Sequence, residues 1–276
     1  MARNALKNIL RMVEATQATQ PVDSSFLADL QRSIELDAAK ESRPPSQAYH
    51  PSSMNCIRNM WYQITGTEQD PFDTSYSFVG ICNSGSDIHE RIQRYVDGMK
   101  DNGMDCEYID VAEYVKSRNL DDLDIVGKQG VETKLYHKKL NMSFLCDGII
   151  RYKGKYYILE LKTEAGFKWT ERKGVDPKHY NQGIAYSVAF GIDNVIFLYI
   201  SRDVLSMKAY MFEVTDDMRM ELIGKIEECD EWVQKLTVPP KPVDVMRSVC
   251  NYCNYKSKCE KAGDGINVQQ QQVKRE

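Results

Sequence analysis

No run of about 18 apolar residues, the length that crosses a bilayer, occurs in this 276-residue chain. No transmembrane helix and no membrane partner are therefore expected. The opening MARNALKNILRMVEATQATQ has no apolar block of the signal-peptide kind, because charges interrupt it every few positions. An intracellular, cytoplasmic setting is the expectation. Internal repeats are missing too. Excess positive charge is also lacking: 36 Lys and Arg against 40 Asp and Glu leave a net charge of −4. That excludes a surface coated in basic residues and, taken alone, weighs against a nucleic-acid partner. The cations are nevertheless gathered. Arg151, Lys153, Lys155, Lys162, Lys168, Arg172, Lys173 and Lys178 fall in one stretch, and Lys241, Arg247, Lys256, Lys258 and Lys261 in another. An acidic total can hide a basic groove, so charge decides neither way.

What is present is ordinary globular composition, 42% hydrophobic and 28% charged, in a chain long enough for one well-buried core. Its eight cysteines, in an intracellular setting, do not read as a disulfide framework. Cys82, Cys106, Cys146 and Cys229 stand alone and are expected to be buried as small hydrophobes.

Residues 1–47 form a polar arm with two stretches of helical spacing, Leu6, Ile9, Leu10, Val13 and Phe26, Leu27, Leu30, Ile34, closed by the linker Ser42-Arg-Pro-Pro-Ser46. The residues from 48 to 262 read as one domain, and the Gln-rich residues 263–276 as a disordered tail. Helices are expected over Ile57–Gln63 and over Ser86–Lys100, the latter opened by Asp87 with Glu90 three residues on. Polar β-like stretches fill residues 105–140. A hairpin follows, with strands Ser143–Lys153 and Tyr156–Thr163 and a turn at Gly154. Asp176-Pro177 starts a helix that ends at Gly191. Val195–Ser201 and Lys208–Val214 read as strands, and Thr215 or Asp216 caps a helix striped by Leu222, Ile226, Cys229, Val233 and Leu236. The order predicts an α/β domain with both sheet faces covered.

The hairpin carries Asp147 on one strand and Glu160 and Lys162 on the other. Residues two apart on a strand share a face, so Glu160 and Lys162 point together while Leu159 and Leu161 point into the core. A charged pair inside Tyr-Ile-Leu-Glu-Leu-Lys is costly to bury without partners. Two carboxylates beside an ammonium suit phosphodiester hydrolysis: the acids hold Mg²⁺ or Mn²⁺, which lowers the pKa of the attacking water, and the lysine orients that water or stabilises developing charge. A lone Glu-x-Lys would read as a half-exposed strand; the upstream Asp147 is what lifts the pattern above that.

These residues resemble the core of the PD-(D/E)XK nucleases, and their surroundings resemble its RecB-like branch. Gly85-Ser-Asp-Ile-His89 matches the histidine helix ahead of that core, and Gln182-Gly-Ile-Ala-Tyr186 the helix after it. Four-residue spacing puts Gln182 and Tyr186 on one helix face. The resemblance implies a restriction-endonuclease-like fold, a mixed central sheet flanked by helices. It also implies that His89 and the Leu161 carbonyl join Asp147 and Glu160 as metal ligands, and that Gln182 and Tyr186 serve the active site or position the strand. Glu132 receives only an accessory role. His50, His137 and His179 have no such context and read as surface or packing residues.

Cys250-x2-Cys253-x5-Cys259 has metal-ligand spacing, and three thiolates want a fourth. Spacing leaves zinc and iron–sulfur both open. The setting of Cys56, Pro51-Ser-Ser-Met-Asn-Cys56-Ile-Arg58, resembles the N-terminal cysteine segment of iron–sulfur nucleases, among them the CRISPR-associated exonuclease family and the AddB subunit. That likeness implies a [4Fe–4S] cluster on Cys56, Cys250, Cys253 and Cys259 that closes the domain structurally. The whole resemblance implies a metal-dependent DNA exonuclease in a prokaryotic cell or phage-infected host, working on single-stranded or frayed ends. Arg58, Lys168 and Arg172 are expected phosphate contacts. The rival readings are a catalytically idle DNA-end-binding scaffold on the same fold and a zinc-stabilised adaptor.

Overall fold

The computed structural model describes residue 7 and residues 24–41, 44–129 and 132–262. The stretch Leu6 to Val13 (except Lys7), Ser42 and Arg43 of the linker, and the tail from residue 263 lie outside them. Two compact units divide the chain, residues 1–43 with 73–82, and residues 44–72 with 83–276. Among the described residues no helix is long and apolar enough to cross a membrane. In the first unit, helix α1 (Ser24–Ala39) carries the expected stripe, with Ile34 half-buried and Phe26, Leu27 and Leu30 exposed.

Helix α2 (Ile57–Ile64) opens the second unit as expected. Helix α3 (Tyr76–Asp97) begins ten residues earlier than its apolar stripe predicts. The Asp73 carboxylate takes the Ser75 N–H, and the Ser75 carbonyl accepts the Val79 N–H, so the helix is nucleated there. Asp87 is consequently an interior residue and not a cap. Cys82 is exposed on this helix, against expectation, whereas Cys106, Cys146 and Cys229 are buried.

The hairpin strand expected over Ser143–Lys153 is two strands in two sheets. β4 (Met142–Cys146) pairs antiparallel with β3 (Glu132–His137), which pairs with β2 (Leu123–Gln129). Past Asp147 the chain enters a five-stranded sheet as β5 (Gly148–Tyr152), beside β1 (Cys106–Ile109) and β6 (Lys155–Glu164). Apolar, buried residues stand on both sides of Asp147-Gly148, because both sheets are packed there. Helix α4 (Val111–Ser117), capped by Asp110, lies between β1 and β2 in sequence. Lys153 and Gly154 turn β5 into β6 with φ of 49° and 77°, a two-residue turn whose twist suits the strands.

From β6 the chain crosses over through α5 (Gly166–Glu171), a 3-10 turn at Pro177–His179 and α6 (Tyr180–Phe190) to reach the parallel strand β7 (Asn194–Ser201). β8 (Met207–Glu213) then pairs antiparallel with β7. The Asp176-Pro177 signal thus starts the 3-10 turn, and α6 itself begins at Tyr180. Thr215 caps α7 (Asp216–Gln234), and α8 (Arg247–Asn251) and α9 (Lys256–Lys261) follow. The expected mixed central sheet flanked by helices is what forms.

Both faces of the five-stranded sheet are packed. Leu159 and Leu161 of β6 meet Ile88 and Ile92 of α3, while Ile158, Val195, Phe197 and Tyr199 join Ile184, Ala185 and Phe190 of α6 and Leu222 and Ile226 of α7. Each buried leucine is worth about 1.5–3 kcal/mol, and a one-residue slip of β6 would exchange Leu159 and Leu161 for Glu160 and Lys162. The register that places the acids is therefore fixed by the leucines between them.

Gly148 opens β5 beneath the Tyr108 ring, and a Cβ there would come within 2.7 Å of it. Gly148→Ala is expected to displace that ring and destabilise the fold by about 1–3 kcal/mol in urea unfolding. An unchanged midpoint would contradict the packing.

Candidate active site

Asp147 stands at the joint between the sheets. Gly148 pairs with Leu159, so Asp147 comes opposite Glu160. Its buried carboxylate accepts the Leu161 N–H at 2.6 Å through Oδ2. The two backbone polar groups of a strand residue emerge on the same edge, which turns the Leu161 carbonyl towards Asp147 as well. Lys162 Nζ donates to Glu160 Oε1 at 2.5 Å and to Gln182 Oε1 at 2.9 Å. Gln182 Nε2 donates in turn to Glu160 Oε1 at 2.7 Å and to the Tyr186 hydroxyl at 2.8 Å. Tyr186, only 3% exposed, anchors this chain on the Leu145 carbonyl at 2.9 Å. Glu160 Oε1 is thus shared by two donors, while its buried Oε2 has no hydrogen-bond partner among the described residues.

α3 supplies the imidazole. It runs so close to β6 that a Cβ on Gly85 would lie 3.3 Å from Thr163 Oγ1. One turn later His89 Nδ1 stands 3.3 Å from Asp147 Oδ1 and 3.4 Å from Glu132 Oε1. Ligand atoms of His89, Glu132 and Asp147 all lie within 4.8 Å of one another. Glu132, expected to be accessory, is brought into this group because β3 and β4 pair next to the joint. Two further residues touch Asp147 without having been marked by the sequence: Gln93 Nε2 and the Tyr108 hydroxyl each donate to its backbone carbonyl at 2.6 Å. Gln93 lies four residues past His89 on the same helix face, the one spacing that could have indicated it.

Burial pushes the Glu160 carboxyl up; the Lys162 ammonium opposes this, the Asp147 charge adds to it, and the net direction is upward. Burial works the same way on Asp147, but the hydrogen bond and charge of His89, the Lys162 ammonium and the Leu161 N–H outweigh it and hold the group below the ordinary carboxylate value. For His89 burial favours the neutral ring, yet hydrogen bonds and charge from Asp147 and Glu132 win and push it up to about 9. The group borders a cavity of about 410 Å³ whose other walls include His50, Ser52, Lys134, Ser143 and Phe144. His50 is accordingly a wall of this cavity. His137 accepts the Leu140 N–H, and His179 stacks on Phe197 and Tyr199, its ring held neutral by burial.

The expected phosphate contacts are placed differently. Arg58 is 1% exposed and donates to the Pro239 carbonyl and to Cys259, so it is an internal brace. Arg172 pairs with Glu164 and Asp176 and lies over the Tyr199 ring, 4.1 Å from its centre. Its donors are turned inward by the crossover it ties down. Lys168 is exposed on α5.

Cys56, Cys250, Cys253 and Cys259 line a second, small pocket of about 60 Å³. Burial raises the Cys56 thiol and pushes Cys253 up to about 11. Arg58 Nη1 donates to Cys259 Sγ at 3.5 Å and the Tyr255 N–H to Cys253 Sγ at 3.4 Å. The four thiols are not drawn within 4.8 Å of one another as the His89 group is. Asp70 holds the cysteine helices to the start of the unit, its N–H on the Asn254 carbonyl (2.7 Å) and its carboxylate on the Ser257 N–H (2.8 Å).

No protein-family profile matches the sequence, and no curated protein does. Similar solved structures include the crystal structure of SSO0001, 15% identical with a TM-score of 0.47, covering 87% of this chain and 98% of that one. LHK-Exo in complex with dAMP is 12% identical, with a TM-score of 0.41, over 71% of this chain and 90% of that one. The alkaline exonuclease LHK-Exo from Laribacter hongkongensis is 10% identical, with a TM-score of 0.35, over 69% and 89%.

A raised histidine stabilises the fold fully below its ordinary value near 6.5, and the contribution is lost as pH rises through about 9. The metal-free protein is expected to lose up to roughly 3 kcal/mol over that window in urea melts, a pH slope that His89→Gln removes. Coincident slopes for parent and variant would contradict the His89–Asp147–Glu132 contact.

Proposed function

We propose that this protein is a divalent-metal-dependent deoxyribonuclease that works as an exonuclease on single-stranded or frayed DNA ends. The observation that carries the reading is the convergence of Asp147, Glu160, His89 and Glu132 on one cavity, with Lys162 bonded to Glu160 and a buried Glu160 oxygen that no donor among the described residues satisfies. An orphaned carboxylate oxygen in a buried acid group fits a bound cation. Asp147, Glu160, His89 and the Leu161 carbonyl would hold Mg²⁺ or Mn²⁺, with Glu132 added from the second sheet. A cation there neutralises phosphate charge and acidifies the attacking water.

The chain's own groups supply the rest. Lys162 keeps an ammonium beside Glu160, where it orients water and steadies charge building on the phosphate. Gln182 bridges Lys162 and Glu160, and Tyr186, being buried, positions Gln182 rather than the DNA. Lys134 and Ser143 also line the cavity and carry groups suited to phosphate. The cavity's size falls in the range of small-ligand sites, which supports a strand end entering it.

End-labelled single- and double-stranded DNA with Mn²⁺ tests the reading. Glu160→Ala and Lys162→Ala are each expected to lower the rate by about 10²–10⁴. Variants that digest as fast as the parent would favour the idle DNA-end-binding scaffold instead.

We also propose a [4Fe–4S] cluster on Cys56, Cys250, Cys253 and Cys259 as a structural clamp, from the spacing of the cysteines and the pocket they share. N–H donors on two of the sulfurs suit thiolates carrying negative charge. When bound, the cluster supplies a cross-link between the two ends of the unit, of the kind worth about 5 kcal/mol for a long closure. Anaerobically purified protein is expected to be brown, with broad absorbance near ~400 nm that Cys250→Ser abolishes. Colourless protein with stoichiometric zinc would support the zinc-stabilised adaptor.

A further inference from the structure

Asp147 falls between the last paired residue of β4, Cys146, and the first of β5, Gly148. A buried carbonyl at such a joint needs donors from elsewhere. It has two, Gln93 Nε2 and the Tyr108 hydroxyl, each at 2.6 Å. They arrive from different elements. Gln93, 3% exposed, shares a face of α3 with His89, so one helix meets both the carboxylate and the carbonyl of Asp147. Tyr108 reaches from β1 across Gly148, where no Cβ has room.

We propose that Gln93 and Tyr108 are positioning residues for Asp147. Clamping its carbonyl fixes the peptide plane at the joint, and with it the direction in which the carboxylate leaves the backbone, towards His89 and Glu132. Glu160 needs no such clamp, because it sits inside the regular ladder between β6 and β7. Leu161 adds the third hold, on the carboxylate itself. Neither Gln93 nor Tyr108 touches the reacting atoms. The inference rests on reading this group as a divalent-cation site.

Tyr108→Phe removes one oxygen, and Gln93→Leu removes the amide at nearly constant volume. Calorimetry with Mn²⁺ on the full chain, without DNA, is the decisive readout, beside thermal melting and steady-state rates on a labelled single strand. Each variant is expected to remain folded, to bind Mn²⁺ about tenfold to a hundredfold more weakly, and to lose kcat with KM little changed. A purely structural role would move the melting temperature and leave Mn²⁺ affinity alone. A parent that binds Mn²⁺, with variants matching it within about twofold, overturns the clamp and leaves the site reading intact. A parent that binds no Mn²⁺ overturns both. If Gln93→Leu does not fold, Tyr108→Phe decides by the same criterion.

Discussion

Two acids buried side by side are the constraint from which the architecture follows. Asp147 and Glu160 are each at most 5% exposed, and charge so deeply placed must be compensated or neutralised. Compensation comes from every direction: the Lys162 ammonium on the same strand, the Leu161 N–H between the acids, the His89 ring from α3 and the Gln182 amide from α6. It remains incomplete at one Glu160 oxygen. Of the buried side-chain oxygens and nitrogens left without a partner among the described residues, this is the carboxylate oxygen, and Glu160 lines the cavity.

The packing makes that arrangement rigid. Leu159 and Leu161 lock β6 against α3, so the strand cannot slip, and the Asp147 joint is held by contacts from α3, β1 and β6. At the other end of the chain's fold, Tyr62 stacks on Tyr255, and Asp70 and Arg58 tie the segment before the core to the cysteine helices after it. The cysteine pocket is thus built where two chain ends are already stitched together, which is where a cross-link constrains the longest loop.

Much of this was legible in residue types and spacing. Asp147, Glu160 and Lys162 meet because strand alternation and a two-residue turn leave them no other relation, and Gln182 and Tyr186 share a face because they are one helical turn apart. Features that depend on tertiary context were not legible. The start of α3 at Tyr76 was hidden because its buried stripe begins only at Ile88, and the Asp87/Glu90 pair imitates a helix start inside it. The two-sheet joint at Asp147-Gly148 was hidden because the residues on both sides of it are equally apolar and buried. Glu132 enters only through the β3–β4 pairing, and Gln93 and Tyr108 bond a backbone carbonyl, which only the His89–Gln93 spacing could have hinted at. Arg58 and Arg172 looked like phosphate contacts because a cation's sequence neighbours do not reveal a carbonyl or carboxylate waiting across the fold.

An anomalous-scattering map from a crystal soaked in Mn²⁺ tests the central claim most directly. The account predicts a peak at the unsatisfied face of Glu160, within coordination distance of the Asp147 carboxylate. Density only at the protein surface, with that pocket vacant and the two acids turned apart, would contradict it.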